Sequence, residues 1–213
     1  MPYITEVFLP ALEATGVRAR VELRRPGWYP AGGGEVEAIV EPTPPARGLA
    51  IETPPAASTA AGVSIVSRLP ASIAERQRLR AVQRLAEAGI EATIAVEIDT
   101  HAASPGTAIF VGVRGRAGFT ALGRRGLLAE AVADGAVDAF LAWRASGAAI
   151  DAHLADQLVS FLAVAPPPSR LTCPALTSHL RTVAWVVEQF LPVRAHLADG
   201  VPPAVEIERA SFP

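Results

Sequence analysis

Between Glu41 and Val63 the chain follows neither of the hydrophobic periods from which regular structure is built, and it is dense in Pro, Ala and Thr. Proline withholds a backbone N–H and fixes φ, and without an apolar repeat neither a helix nor a strand has a face to bury. Residues 42–62 therefore read as a linker or domain boundary. Any fold must be assembled from the segments on either side of it.

Ahead of that boundary, Ile4, Val7, Phe8, Ala11 and Leu12 recur at helical spacing and Gly16 stops the pattern. This predicts an amphipathic helix over residues 3–15 that Pro10 kinks or breaks. Val17, Ala19, Val21 and Leu23 then alternate with Arg18, Arg20, Glu22 and Arg24, and Val36, Ala38 and Val40 alternate with Glu35, Glu37 and Glu41. Two half-buried strands follow from that period of two. Between them lies Pro26-Gly27-Trp28-Tyr29-Pro30-Ala31-Gly32-Gly33-Gly34, whose glycines permit either a hairpin connection or a phosphate cradle.

Beyond the boundary the pattern gives a short strand over 64–67, a helix over 70–88 ended by Gly89, an alternating strand over 90–98, and an apolar strand over 108–113. A helix follows near 127–143, so this stretch reads as a small α/β or α+β sandwich. Ile150, Leu154, Leu158, Phe161 and Leu162 form one helical stripe ended by Pro166-Pro167-Pro168, and residues 202–208 supply a last strand with Val205 and Ile207 on one face.

Two polar groups stand beside these elements. His179 lies just ahead of the amphipathic run from Val183 to Leu191, where a helix start gathers unpaired N–H groups and favours an anion such as phosphate next to the imidazole. A histidine there is either a nucleophile or a surface residue near a cap. His153, Asp156, Gln157 and Ser160 flank the apolar stripe of the preceding helix, as a cleft lining or as a solvated shoulder.

With 213 residues, 50% of them hydrophobic and 19% charged, the chain can bury one large core or two small ones. No apolar run is long enough to span a bilayer, and Glu6 and Glu13 interrupt the first twenty residues, so the expectation is a soluble, cytoplasmic protein. The one cysteine, Cys173, has no internal partner and reads as a small buried thiol; the four histidines are scattered, and no structural metal is expected. All 19 basic residues are arginine and the net charge is −2, so contact with nucleic acid requires a local basic patch. Arg18, Arg20 and Arg24 share one strand face, where facing glutamates can neutralise them, and Arg124 and Arg125 sit in a glycine-flanked turn.

Five segments in series, Gly27-Trp28-Tyr29-Pro30-Ala31-Gly32-Gly33-Gly34-Glu35-Val36, Leu69-Pro70 with Ala74-Glu75-Arg76, Ala121-Leu122-Gly123-Arg124-Arg125-Gly126, His153-Leu154-Ala155-Asp156-Gln157-Leu158 and Ser178-His179-Leu180-Arg181-Thr182, resemble the RNA 3′-terminal phosphate cyclases. The resemblance covers nearly the whole chain. It implies an α+β fold of repeated units, each two helices on a four-stranded sheet like the C-terminal domain of translation initiation factor three, with a small inserted α/β domain. Residues 1–46 and 146–213 would form the discontinuous core and residues 47–145 the insert.

The resemblance further implies that His179 attacks ATP to form a histidine–AMP intermediate, that His153, Asp156 and Gln157 contact the nucleotide, and that a divalent cation, Mg or Mn, accompanies it. The RNA 3′-phosphate end would be converted to a 2′,3′-cyclic phosphate. A homodimer is compatible with the sequence. Two departures from the family pattern stand out. The chain opens inside a helix that relatives reach only after a portion carrying a Glu-Gly-Gly-Gly-Gln segment, and Ile51-Glu52-Thr53-Pro54-Pro55 replaces a Glu-Arg-Gly segment. The alternative expectation is therefore a truncated, catalytically inactive cyclase-like protein of RNA binding or RNA-processing assembly. A carboxyvinyl transferase ranks last, on analogy of architecture alone.

Overall fold

The computed structural model describes residues 1–42, 46–56 and 58–210. Helix α1 begins as a π-helical turn over Ile4–Phe8 and continues as α-helix over Leu9–Glu13. The helix is continuous through Pro10 but changes type just ahead of it: the N–H of Leu9 donates to the Ile4 carbonyl, and this widened turn carries the chain past a residue with no N–H to give.

Strands β1 (Ala19–Arg25) and β2 (Glu35–Val40) pair antiparallel with Val21 opposite Ala38. The expectation of half-buried strands is corrected here. Every residue of β2 is exposed, and only Ala19 and Val21 of β1 are partly covered. Alternation selects the strand conformation, but burial needs a second layer, and this hairpin forms a two-stranded sheet of its own. Its charges pair as expected, Arg24 with Glu37 across the ladder and with Glu22 along it.

A four-stranded sheet of order β5-β4-β6-β7 follows, from β4 (Thr59–Ser67), β5 (Glu91–Asp99), β6 (Gly106–Val113) and β7 (Ala117–Leu122). Strand β4 is longer than the expected 64–67 and takes in residues read as linker: residues 59–67 pair parallel with β5 and residues 61–67 antiparallel with β6. Helices α2 (Ala71–Glu87) and α3 (Ala129–Ala145) cover one face, burying Leu85, Ile109, Val111, Val137, Phe140 and Trp143. The other face presents Phe110 to Val7, Ala11, Ile150 and Leu154. The unbroken apolar run of β6 is thus a strand buried on both sides.

The remaining sheet has the order β3-β8-β10-β9, from β3 (Ala50–Ile51), β8 (Ser169–Thr172), β9 (Val193–Ala198) and β10 (Ala204–Arg209). Helix α4 (Ala152–Leu162) precedes β8, and α5 (Ser178–Phe190) joins β8 to β9. Val205 and Ile207 of β10 are buried, as the alternation requires. The second correction to the linker lies in β3: two residues inside 42–62 pair parallel with β8, which places the whole β4-to-α3 layer within one crossover. The chain is a mixed helix-and-sheet protein, and no helix among the described residues is long and apolar enough to cross a membrane.

Candidate active site

Helix α5 opens on Thr177, whose Oγ1 accepts the Leu180 N–H at 2.9 Å. The helix therefore starts at Ser178, and His179 lies within its first turn rather than ahead of it. The apolar stripe begins earlier than the run used to place it, at fully buried Leu180. His179 is exposed beside the free N–H groups of that turn.

The same Thr177 hydroxyl donates to Asp156 Oδ1 at 2.8 Å, tying the start of α5 to the middle of α4. Asp156 is 7% exposed, so it is not a solvated shoulder residue. A carboxylate so far from water is held there by the threonine and by the space in front of it.

Helix α4 is capped by Asp151, which is almost wholly buried and accepts from three directions. The Leu154 N–H lies at 2.8 Å, the Gly118 N–H of β7 at 2.9 Å, and the Tyr3 hydroxyl at 2.9 Å from Oδ1. One carboxylate thus fastens the start of α1, strand β7 and α4 together. Burial raises its pKa against the pull of these donors. Burial, with Asp151 and Asp156 nearby, raises the Tyr3 phenol well above its usual range, so Tyr3 remains a neutral donor. The Tyr3 ring meets the His153 ring edge to face, with centroids 6.4 Å apart.

These contacts shape a cleft of about 350 Å³ lined by Tyr3, Gly118, Thr120, His153, Asp156, Gln157 and His179. His179, His153, Asp156 and Gln157, singled out from the sequence, are in it; Ser160, named with them, is exposed and does not line it. Tyr3, Gly118 and Thr120 were not foreseen, since β7 and the chain start reach the cleft only through tertiary packing. Asp151 carried a local signal, an aspartate directly before an apolar helical stripe. Cys173 is buried and does not line this cleft; burial, with Asp156 nearby, pushes its thiol up to about 11, and it donates to the Ala175 carbonyl at 3.4 Å. It is a packed thiol and not a nucleophile at neutral pH. The glycine-rich loop is also outside the cleft and forms the β1–β2 connection, with a Cβ on Gly27 barred by the Gly34 backbone.

Chemically, the cleft joins an exposed imidazole, a helix start able to receive an anion, a buried carboxylate, an amide and two aromatic rings. This set suits transfer of a phosphoryl-type group to a histidine.

A family model described as RNA 3′-terminal phosphate cyclase matches residues 1–197. A curated RNA 3′-terminal phosphate cyclase of Methylococcus capsulatus is 43% identical over 192 residues, 88% of this chain and 53% of the relative. Proteins of the same name from Pyrobaculum neutrophilum (36% over 218 residues, 99% of this chain and 62% of the relative) and Thermococcus onnurineus (40% over 193 residues, 89% and 56%) are similar along the same span. The chain spans a little over half the length of these relatives.

Proposed function

The chain belongs to the RNA 3′-terminal phosphate cyclase family, and from that premise we propose that it carries the nucleotide-transfer site of an ATP-dependent cyclase, with His179 as nucleophile. The observation that supports this most is the convergence of His179, His153, Asp156 and Gln157, from two helices, on one cleft.

In this reading a ring nitrogen of His179 attacks the α-phosphorus of ATP and the bond to pyrophosphate breaks, leaving AMP on the imidazole. An oxygen of the RNA 3′-phosphate then attacks the same phosphorus, frees His179 and carries AMP away as an anhydride. The neighbouring 2′-hydroxyl loses its proton, attacks the 3′-phosphorus and expels AMP, closing the 2′,3′-cyclic phosphate. Activation replaces a poor leaving group with AMP, so one difficult displacement becomes three easier ones. The open N–H groups of α5 stabilise the charge that develops on the phosphate oxygens. Gln157 donates towards the nucleotide, and the His153 ring packs on its base.

Among the described residues no three His, Cys, Asp or Glu side chains gather as a metal site. A divalent cation, Mg or Mn, would accordingly be held by Asp156 and the nucleotide's own phosphates, and would neutralise their charge. The core-and-insert division belongs to this proposal, with residues 1–46 and 146–213 plus β3 as core. The β3-α4-β8-α5-β9-β10 connectivity would be one unit of the initiation-factor-three type, and α1-β1-β2 the helix-and-hairpin end of another. A cytoplasmic location is proposed with it.

A second reading is a chain that keeps the fold without activity and works by assembly. It is favoured by the exposed apolar surface that continues the His179 face along α5, where Val186 and Phe190 are 38% and 82% exposed.

The test is intact-protein mass spectrometry after incubation with ATP and Mg or Mn, with His179→Ala alongside. An AMP adduct present in the parent and lost in the variant is expected. Its absence from the parent chain overturns the catalytic reading for this polypeptide and leaves the second, which a single monomeric species in solution would in turn overturn.

A further inference from the structure

Three of the five sequence segments that mark the family do not touch the His179 cleft. They meet elsewhere, around a cavity of about 780 Å³ at the end of the inserted sheet, which Trp28 and Tyr29, Leu69 and Arg76, and Leu122, Arg124 and Arg125 all line. The loop that carries Trp28 is docked there: Ser104 Oγ donates to the Trp28 carbonyl at 3.3 Å, and the indole lies so close over Gly106 that a Cβ would fall within the ring.

Two residues that line this cavity carry a buried side-chain nitrogen without a partner. Gln77 of α2 is fully buried, with its Oε1 held by Ser64 Oγ at 2.7 Å and Thr107 Oγ1 at 3.2 Å, while its Nε2 has none. The Trp28 indole N–H is also buried without an acceptor. Leaving such groups unpaired is costly, so an acceptor that reached either of them would be held. At the rim, Tyr29 is 97% exposed and Leu122 66% exposed. Arg76 is held by Glu130 through two hydrogen bonds, whereas Arg124 and Arg125 are exposed and make no ion pair among the described residues.

The free polar groups are all donors, and the walls are aromatic and aliphatic. The matching ligand is flat, apolar on its faces, rich in acceptors on its edge, and attached to negative charge. A nucleobase with its phosphate has those properties. The cavity is also in line with the first site. Thr120 in the His179 cleft and Leu122 in this cavity lie on the same face of β7, two residues apart, about 7 Å along the strand. That is close to the spacing of successive nucleotides in a strand.

We propose that this cavity binds a base of single-stranded RNA upstream of the reacting 3′ end, with Gln77 and Trp28 addressing its edge, Tyr29 its face, and Arg124 and Arg125 its phosphate. The inference rests on RNA being the substrate of the His179 cleft.

It is tested with a short RNA ending in a 3′-phosphate and carrying 4-thiouridine at one of the last three upstream positions. The RNA is cross-linked by light to the 213-residue chain, and the attachment is mapped by mass spectrometry. Attachment within 28–29 or 122–128 is expected. The double variant Arg124→Ala/Arg125→Ala should lose about tenfold in RNA affinity by fluorescence anisotropy without loss of thermal stability, and Gln77→Leu a similar factor, read below its lowered melting temperature because Ser64 loses its acceptor. Neither should change the yield of the ATP-dependent His179 adduct. Attachment confined to the His179 cleft or to the Arg18–Arg24 face, or unchanged affinity in both variants, overturns the proposal. So does a chain that forms the adduct but binds no RNA, an outcome that leaves the catalytic reading standing. RNA cross-linked in this cavity by a chain that forms no adduct would do the reverse.

Discussion

Asp151 shows how much one side chain can organise. Its carboxylate caps α4, holds the β7 backbone at Gly118 and receives the Tyr3 hydroxyl. Asp151→Ala removes a cap worth about 1 kcal/mol and strands two further donors, for a total loss of roughly 3 kcal/mol, measured by urea denaturation. The pH dependence has a defined sign. Burial raises the folded-state pKa above the ordinary 3.8, so between the two values the folded chain holds a proton that the unfolded chain has lost. The contribution of Asp151 is therefore complete below the ordinary value and declines as pH rises through the raised one. Asp151→Asn, which cannot ionise, should lose less against the parent at pH 7 than at pH 4. The sequence marked Asp151 only as a cap. That it also grips residues 3 and 118 follows from chain segments that no local pattern brings together.

At the scale of elements, α2 and α3 are joined by a ladder of ion pairs along their shared edge: Arg76 with Glu130, Arg80 with Asp134, and Arg84 with Asp134 and Asp138. The rungs recur every four residues on both helices, the spacing that keeps side chains on one helical face. The Arg80 hydrogen bond holds the Asp134 carboxyl below its usual range. A carboxylate of this kind stabilises the fold above the unfolded-state pKa, and that stability is lost as pH falls through the lowered folded-state value. Asp134→Asn should cost about 1 kcal/mol at pH 7, less in high salt, and the difference from the parent should be smaller at pH 3. Urea denaturation at the two pH values checks it. The helices themselves were legible from their apolar stripes. β7 was not, since Ala117–Leu122 is a six-residue strand whose Phe119 and Ala121 face the helices while Gly118 and Thr120 face the cleft, and its small residues give no alternation to read.

For the molecule as a whole, the joint between the inserted sheet and the rest is a shared hydrophobic core. Phe110, 3% exposed, reaches from the back of β6 into the cluster of Val7, Ala11, Ile150 and Leu154. Gly118 keeps the space that this requires, because a Cβ there would press on Phe110 and Val7. Phe110→Ala should destabilise the chain by about 3–5 kcal/mol. Thermal and urea unfolding followed by both near- and far-ultraviolet circular dichroism should still coincide in a single transition, because the core is common to both layers. Two separate transitions would show that the inserted sheet folds on its own.

The sequence by itself determined most of the helices, several of the strands and their order, and the segments that resemble the RNA 3′-terminal phosphate cyclases. Those properties follow from local periods, caps and motif spacing, all encoded within a few turns of chain. Only the tertiary structure decided that Ala50–Ile51 leaves the proline-rich stretch to pair with β8, that β1 and β2 stand exposed, and that Tyr3, Gly118 and Thr120 complete the His179 cleft. It also decided that three of the segments that carry the family resemblance meet at a separate cavity. Each of those outcomes depends on contacts between residues tens to more than a hundred positions apart, and the free energy of such contacts is carried by packing that no single segment contains.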